Sequence, residues 1–176
     1  IEQCDFTLGG QVTDEASPFY GAFRPWFSFQ RDKYQQLGWH NTHRRGNPPE
    51  SFNLNHEAFA ARHLLRMWDY LKRREGIDRE DWHRAALRAM DWVLRQQNPE
   101  GSFPQEVNLQ EVRKSGPFTP GVVLLALEEF AERTGAAKYH EAMRKAEQWT
   151  YENNSRQFYF HGAHSDLPAH HIEEAS

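Results

Sequence analysis

Apolar residues recur at three- and four-residue steps after about residue 54, and this spacing predicts a series of helices. The apolar face of the first helix consists of Ala58, Ala61, Leu65 and Trp68. Gly76 is expected to end this helix, after a run of cations that suits a helix C-terminus. A second helix is predicted to begin with Asp78 as its N-cap and to end at Asn98 and Pro99.

The second half of the chain predicts two more helices. The third is expected to run from Thr119 and Pro120 to Gly135. Its positions between Val122 and Leu127 are all apolar, and a helix that is apolar on every side is typically buried. The fourth helix is expected to be half exposed and to fray at about residue 153, because only one stripe of it is apolar. That stripe consists of Tyr139, Ala142, Met143, Ala146 and Trp149.

The apolar stripes of the second and fourth helices repeat each other. Four pairs of residues match, each pair 57 positions apart: Trp82 and Tyr139, Ala85 and Ala142, Ala89 and Ala146, and Trp92 and Trp149. Repeats of this length that are made of paired helices are typical of stacked αα-hairpins. The sequence therefore predicts an all-α protein of stacked αα-hairpins.

The lengths of the connections predict where a functional site would lie. Within each hairpin the link is short, whereas residues 98–118 and the chain after residue 155 form long links. If the hairpins stack in the same sense, all long segments emerge at one end, together with the N-termini of the first and third helices. Long loops and free helix N–H groups both favour a binding site, so we expect the site at this end.

The chain divides into three predicted parts. Residues 1–53 are rich in glycine, proline and aromatic residues and are expected to pack on the helices as irregular, ordered loop. Residues 54–160 hold the two αα-hairpins. Residues 161–176 form a histidine-rich loop that is expected to lead to a missing hairpin.

Two segments resemble the six-hairpin, or (α/α)-barrel, carbohydrate-active enzymes. They are WVLRQQNPEGSF, at residues 92–103, and FAERTGAAKYHEAMRKAEQW, at residues 130–149. The resemblance covers roughly residues 54–160 and implies part of a larger barrel or a shortened relative of one. It does not select a reaction, because glycoside hydrolases, unsaturated-glucuronyl hydrolases and polysaccharide lyases share this architecture.

The long segments contain the residues that could bind an acidic sugar. Arginine can hold a sugar carboxylate through two parallel hydrogen bonds, and amides and aromatic faces hold hydroxyls and sugar rings. The loop ahead of the first helix is the richest, although its asparagines could simply cap that helix. The predicted substrate-binding residues are Trp39, His40, His43, Arg44, Arg45, Asn53, Asn55, Gln105, Asn108, His161 and His164.

Candidate catalytic groups lie in the same segments. Glycoside hydrolysis needs two carboxyl groups across the scissile bond, one of them protonated. The loop carboxylates are Glu50, Glu57, Glu106, Glu111 and Asp166, and Glu57 could also merely complement the helix dipole. A lyase would instead abstract a proton from a uronate, for which Asn55 and His56 with Arg44 or Arg45 are candidates. The leading hypothesis is a hydrolase acting on glycans that contain acidic sugars, with a lyase as the alternative.

A non-catalytic helical-repeat module that binds a protein or a glycan is the hypothesis from another class. Its docking surface would be the aromatic N-terminal segment, including Trp26 and Trp39. The pairs His40 and His43, and His161 and His164, raise the question of a zinc site. Zinc requires three or four converging ligands, and loop pairs without a helical His-Glu-x-x-His motif do not establish such a set, so no metal or cofactor is predicted.

Composition excludes several classes of protein. The chain has 176 residues, 38% of them hydrophobic and 26% charged, which is typical of a globular domain. No apolar stretch is long enough to span a membrane, and a net charge of −4 argues against nucleic acid as a partner. Cys4 is the single cysteine, and no role is assigned to it. The expected partner is an oligosaccharide or polysaccharide.

Overall fold

Helices make up most of the part of the chain that the computed structural model describes. That part comprises residues 1–24, 26–28, 33–35, 51–104, 106–108, 117–118 and 121–153. Its helices are α1 (Glu2–Gly9), α2 (Leu54–Tyr70), α3 (Glu80–Arg95), α4 (Gly121–Thr134) and α5 (Ala137–Asn153). The four helices predicted from apolar spacing are therefore present, as α2 to α5.

The helices pack as two hairpins side by side. Helix α2 packs against α3, α4 packs against α5, and α2 also contacts α4. The repeated stripes face the core: Trp82 and Trp92 on α3 are fully buried, and Tyr139 on α5 is 1% exposed. Trp149, at the end of the second stripe, is only partly buried.

Three short antiparallel strand pairs tie the loops together. Strand β1 (Trp26–Ser28) pairs with β2 (Lys33–Gln35). Strand β3 (Ser51–Asn53) pairs with β5 (Glu106–Asn108), and β4 (Phe103–Pro104) pairs with β6 (Pro117–Phe118). Because β3 leads directly into α2, and β6 lies just before α4, these pairings bring the two helix N-termini to the same end.

Two details of the predicted helices are wrong. Asp78 does not cap α3, which begins at Glu80. Its carboxylate instead accepts a hydrogen bond from the Trp68 indole at 2.9 Å and pairs with Lys72 at 2.9 Å. Helix α4 is not buried all round, since Leu125 is 42% exposed. Among the described elements, α4 packs against α2 and α5, and these two helices do not cover Leu125.

The N-terminal segment is more regular than predicted, because it begins with α1 and then folds against α3. The side-chain amide of Gln11 donates two hydrogen bonds of 2.8 Å, one to the carbonyl of Gly21 and one to that of Ala85 on α3. Gln11 is only 4% exposed. This single buried amide therefore fastens the loop that follows α1 onto the middle of α3.

Gln97 makes the same arrangement one hairpin later. Its side-chain amide donates to the carbonyl of Gly101 at 2.9 Å and to that of Ala142 on α5 at 2.8 Å. Ala85 and Ala142 are matched positions of the 57-residue repeat. The segment around Gln11 is therefore a second copy of the loop around Gln97.

An aspartate precedes each of these glutamines by six positions and extends the match. Asp5 accepts a hydrogen bond from the Trp82 indole at 2.9 Å. Asp91 accepts one from the Tyr139 hydroxyl at 3.0 Å. Trp82 and Tyr139 are again matched repeat positions. The contact of α1 with α3 therefore corresponds to the contact of the end of α3 with α5.

Candidate functional site

The β3–β5 pairing joins the two loops that the sequence singled out. In its register Asn53 lies opposite Glu106, and Ser51 lies opposite Asn108. Predicted site residues from separate long segments, the one before α2 and the one after α3, therefore stand side by side. They meet at the N-terminal end of α2, where the candidate site was expected.

Asn53 is the N-cap of α2. Its side-chain oxygen accepts a hydrogen bond from the backbone N–H of Asn55 at 3.0 Å, and the residue is 5% exposed. Ser, Thr, Asp and Asn are preferred at this position because they satisfy an N–H that the helix leaves free. The capping role anticipated for this residue is thus present, while contact with a substrate stays a prediction.

Asn55 and His56 follow in the first turn of α2, and both are partly buried. The side-chain oxygen of Asn55 is buried and has no hydrogen-bond partner within the described residues. An unsatisfied buried oxygen is unusual and costly, so a donor at this position would stabilise the structure.

Glu57 is the most unusual group at this end of the protein. It lies in the first turn of α2 and is only 2% exposed. One carboxyl oxygen accepts a hydrogen bond from the backbone N–H of Phe23 at 2.7 Å. Burial raises the pKa of Glu57 to about 8, because removing the charged form from water costs more than the Phe23 hydrogen bond returns.

This carboxyl is therefore mostly protonated at neutral pH. A neutral carboxylic acid can donate a proton or a hydrogen bond, which an ionised one cannot do. Because the side chain is almost fully covered, a ligand reaches it only after a covering group moves aside. Glu106, by contrast, is only partly buried.

Most other predicted site residues lie outside the described part of the chain. The backbone of Asn108 is described within β5, and its side chain is not. The predicted residues outside the described part are Trp39, His40, His43, Arg44, Arg45, Glu50, Gln105, Glu111, His161, His164 and Asp166.

Sequence reasoning missed a charged cluster between α2 and α4. Glu129 is 7% exposed and accepts hydrogen bonds from Arg62, Arg66 and Arg133. Burial alone would raise the pKa of Glu129, but the hydrogen bonds from Arg66 and Arg62 outweigh it and hold that pKa below its usual value. The signal available in the sequence was the four-residue spacing of Arg62 and Arg66, and of Glu129 and Arg133.

Comparisons with protein-family models, curated proteins and solved structures find no match for this chain. Within the described residues, no three His, Cys, Asp or Glu side chains come together as metal ligands. Nor does any helix of that part have the length and apolar character needed to cross a membrane. The function is therefore inferred from the chain's own residues.

Proposed function

We propose that this protein is a carbohydrate-active enzyme that hydrolyses glycosidic bonds in glycans containing acidic sugars. The observation that supports this most is the Glu57 carboxyl, whose pKa of about 8 keeps it protonated at neutral pH. The acid of a glycosidase must hold its proton near neutral pH in order to protonate the leaving oxygen.

Glu106 is the candidate for the second carboxyl group. The β3–β5 register sets it opposite Asn53, and Glu57 follows Asn53 by one helical turn. In this proposal Glu57 donates its proton to the glycosidic oxygen. Glu106 then acts as the carboxylate that either activates a water molecule or attacks the sugar, which are the two known roles of the second carboxyl.

The proposed architecture is part of an (α/α) barrel, in which the long loops line a sugar-binding cleft. The supporting observation is the loop clamp made by both Gln11 and Gln97, which fastens successive loops to successive helices in the same way. Such a repeated arrangement is typical of hairpins that stack in a constant sense. It would place the strand-tied loops at one end, as a cleft requires.

The test compares two carboxyl variants with a matched control. Glu57→Gln and Glu106→Gln should each abolish release of new reducing ends from a uronate-containing oligosaccharide. Glu141→Gln, at an exposed position on α5, should retain full activity. If products carry the ultraviolet absorbance of an unsaturated uronate, the reaction is elimination and the hydrolase proposal is wrong.

The burial of Glu57 favours a second candidate, a non-catalytic module that binds a glycan or a protein. A carboxyl that is 2% exposed under the backbone of Phe23 can serve to fasten the N-terminal segment to α2. This candidate predicts binding that depends on Trp26 or Trp39, with no change in the glycan after long incubation. Turnover that is lost in Glu57→Gln while binding is kept would exclude it.

A further inference from the structure

A groove of about 530 Å³ lies between α2 and α4. Arg62 and Arg66 on α2 line one side of it together with Arg73, which lies in the helical turn that follows α2, and Arg133 lines it from α4. This groove is separate from the Glu57 region, because Glu57 lies in the core while Arg62 and Arg66 lie on a different side of the same helix.

The arginines are held in place by acids that occupy only part of their hydrogen-bonding capacity. Arg62 and Arg66 contact Glu129 through their Nε atoms, at 2.6 and 2.7 Å. A guanidinium has five N–H donors, four of them on the two Nη atoms. Within the described residues, neither Arg62 nor Arg66 donates a hydrogen bond from an Nη atom.

Asp69 holds the remaining two arginines in a similar way. Its carboxylate pairs with the Nε atom of Arg73 at 2.6 Å and with Arg133. Arg133 is also bonded to Glu129, at 3.0 Å through its Nε atom. Glu129 and Asp69 thus hold the guanidinium groups in place, which lowers the entropy lost when those groups bind a ligand.

The α4 side of the groove carries carboxylates as well as Arg133. Glu129 lines the groove, and the exposed Glu128 and Glu132 line the same space as Arg62, Arg66 and Arg73. Carboxylates accept hydrogen bonds from hydroxyl groups, whereas guanidinium forks match the planar or tetrahedral oxygens of an anion. A ligand that satisfies both walls carries an oxyanion on one side and hydroxyl groups on the other.

We infer that this groove is a binding site for an oxyanion carried by a polyhydroxylated ligand, such as a carboxylated or sulfated sugar. The oxyanion lies against Arg62, Arg66 and Arg73, and the hydroxyl groups of the ligand donate to Glu128 and Glu132. Binding in the groove does not require hydrolysis at Glu57. Failure of the catalytic proposal would therefore leave this inference intact, and the reverse is also true.

The test is calorimetric titration of the full 176-residue chain with glucuronate, glucose 6-sulfate and glucose at low ionic strength. Glucuronate or glucose 6-sulfate should bind, and added salt should weaken that binding. The preference between the two identifies the carboxylate or the sulfate as the natural group. Glucose binding as tightly as both anionic sugars, or no binding of either anionic sugar, would overturn the inference.

Variants locate the binding in the groove. Arg66→Gln and Arg73→Gln should each raise the Kd of the better anionic sugar by about tenfold or more, because each removes a charge-assisted contact. Arg84→Gln, at an exposed position on α3, is the matched control and should leave the Kd unchanged. Glu132→Gln should tighten binding of inorganic sulfate, since it removes a negative charge from the wall. Unchanged Kd values in both groove-arginine variants would contradict the assignment even if the sugar binds.

Discussion

Gln11 and Gln97 make the same pair of hydrogen bonds at two separate places in the chain. Each side-chain amide donates to the carbonyl of a loop glycine and to the carbonyl of an alanine on a helix, α3 for Gln11 and α5 for Gln97, at 2.8 to 2.9 Å. In each pair one bond lies within the loop and the other joins the loop to a helix. Each glutamine therefore fastens irregular chain to a helix through its side chain.

Loss of such a clamp should destabilise the fold. Gln11→Ala removes two buried hydrogen bonds, to the carbonyls of Gly21 and Ala85, and the loss of two such bonds costs about 1–3 kcal/mol in total. Urea unfolding should therefore show a decrease of that size in the free energy of unfolding. Gln148→Ala, at an exposed position on α5, is the control and should change it by less than about 0.5 kcal/mol. Equal effects of the two substitutions would contradict the clamp.

Gly101 should resist substitution more strongly than Gly76, although both have positive φ angles, of 108° and 68°. A side chain at Gly101 would collide with the backbone carbonyl of Lys145 on α5, whereas nothing lies within 4 Å of a Cβ at Gly76. Gly76→Ala should cost about 1 kcal/mol of unfolding free energy, from backbone strain alone. Gly101→Ala should cost at least about 2 kcal/mol, since the collision adds to the strain. Thermal unfolding of both variants gives the comparison.

Glu57 should make the protein less stable as pH rises. Its pKa is raised in the folded state from an ordinary 4.5 to about 8, so the folded state binds more protons than the unfolded state between those values. The contribution of the neutral carboxyl is fully present below about pH 4.5 and is lost as pH rises through about 8. Glu57→Gln keeps a neutral side chain and should remove this loss.

The measurement is urea unfolding of the wild type and Glu57→Gln across this pH range. The variant should gain in free energy of unfolding relative to the wild type as pH rises, at up to about 1.4 kcal/mol per pH unit. A difference between the two proteins that does not change with pH would show that Glu57 is already ionised in the folded state.

Substitution of Glu129 should lower the free energy of unfolding more than substitution of an exposed residue on α4. Glu129→Ala would leave Arg62, Arg66 and Arg133 without their shared carboxylate. These arginines are partly exposed and water can solvate them, so the loss of their hydrogen bonds should cost about 1–3 kcal/mol. Glu132→Ala, one turn later and exposed, should cost less than about 0.5 kcal/mol. Chemical unfolding of the two variants measures the difference, and similar costs would contradict the role of the cluster.

The sequence was sufficient to predict the helices whose apolar residues recur with a clear helical period. The matched stripes of α3 and α5 are visible as Trp82 and Tyr139, because core-facing positions on a helix must recur at fixed steps. The stop at Gly76 was equally clear: a π-helical turn, Leu71–Glu75, continues α2 and ends at Gly76, whose φ of 68° is a conformation that glycine adopts readily. Asp78 was misassigned because its real partners, Trp68 and Lys72, are brought to it only by the folded hairpin.

The loop copy around Gln11 could not be predicted from the sequence because its spacing differs from that of the loop around Gln97. Gln97 bonds a glycine four positions ahead, whereas Gln11 bonds one ten positions ahead, so no fixed-length motif links them. The short strings Gly21-Ala22-Phe23 and Gly101-Ser102-Phe103 were the available signal. The protonation state of Glu57 could not be predicted from the sequence. The carboxyl is buried beside the backbone N–H of Phe23, which is distant in sequence.

The most direct test of the proposed function is the pH dependence of glycan cleavage by the 176-residue chain. Release of reducing ends from a uronate-containing oligosaccharide should be lost as pH rises through about 8, where Glu57 gives up its proton. Glu57→Gln should show no cleavage at any pH while remaining folded. Cleavage that persists in this variant, or a folded wild type that releases no product at any pH, would contradict the account.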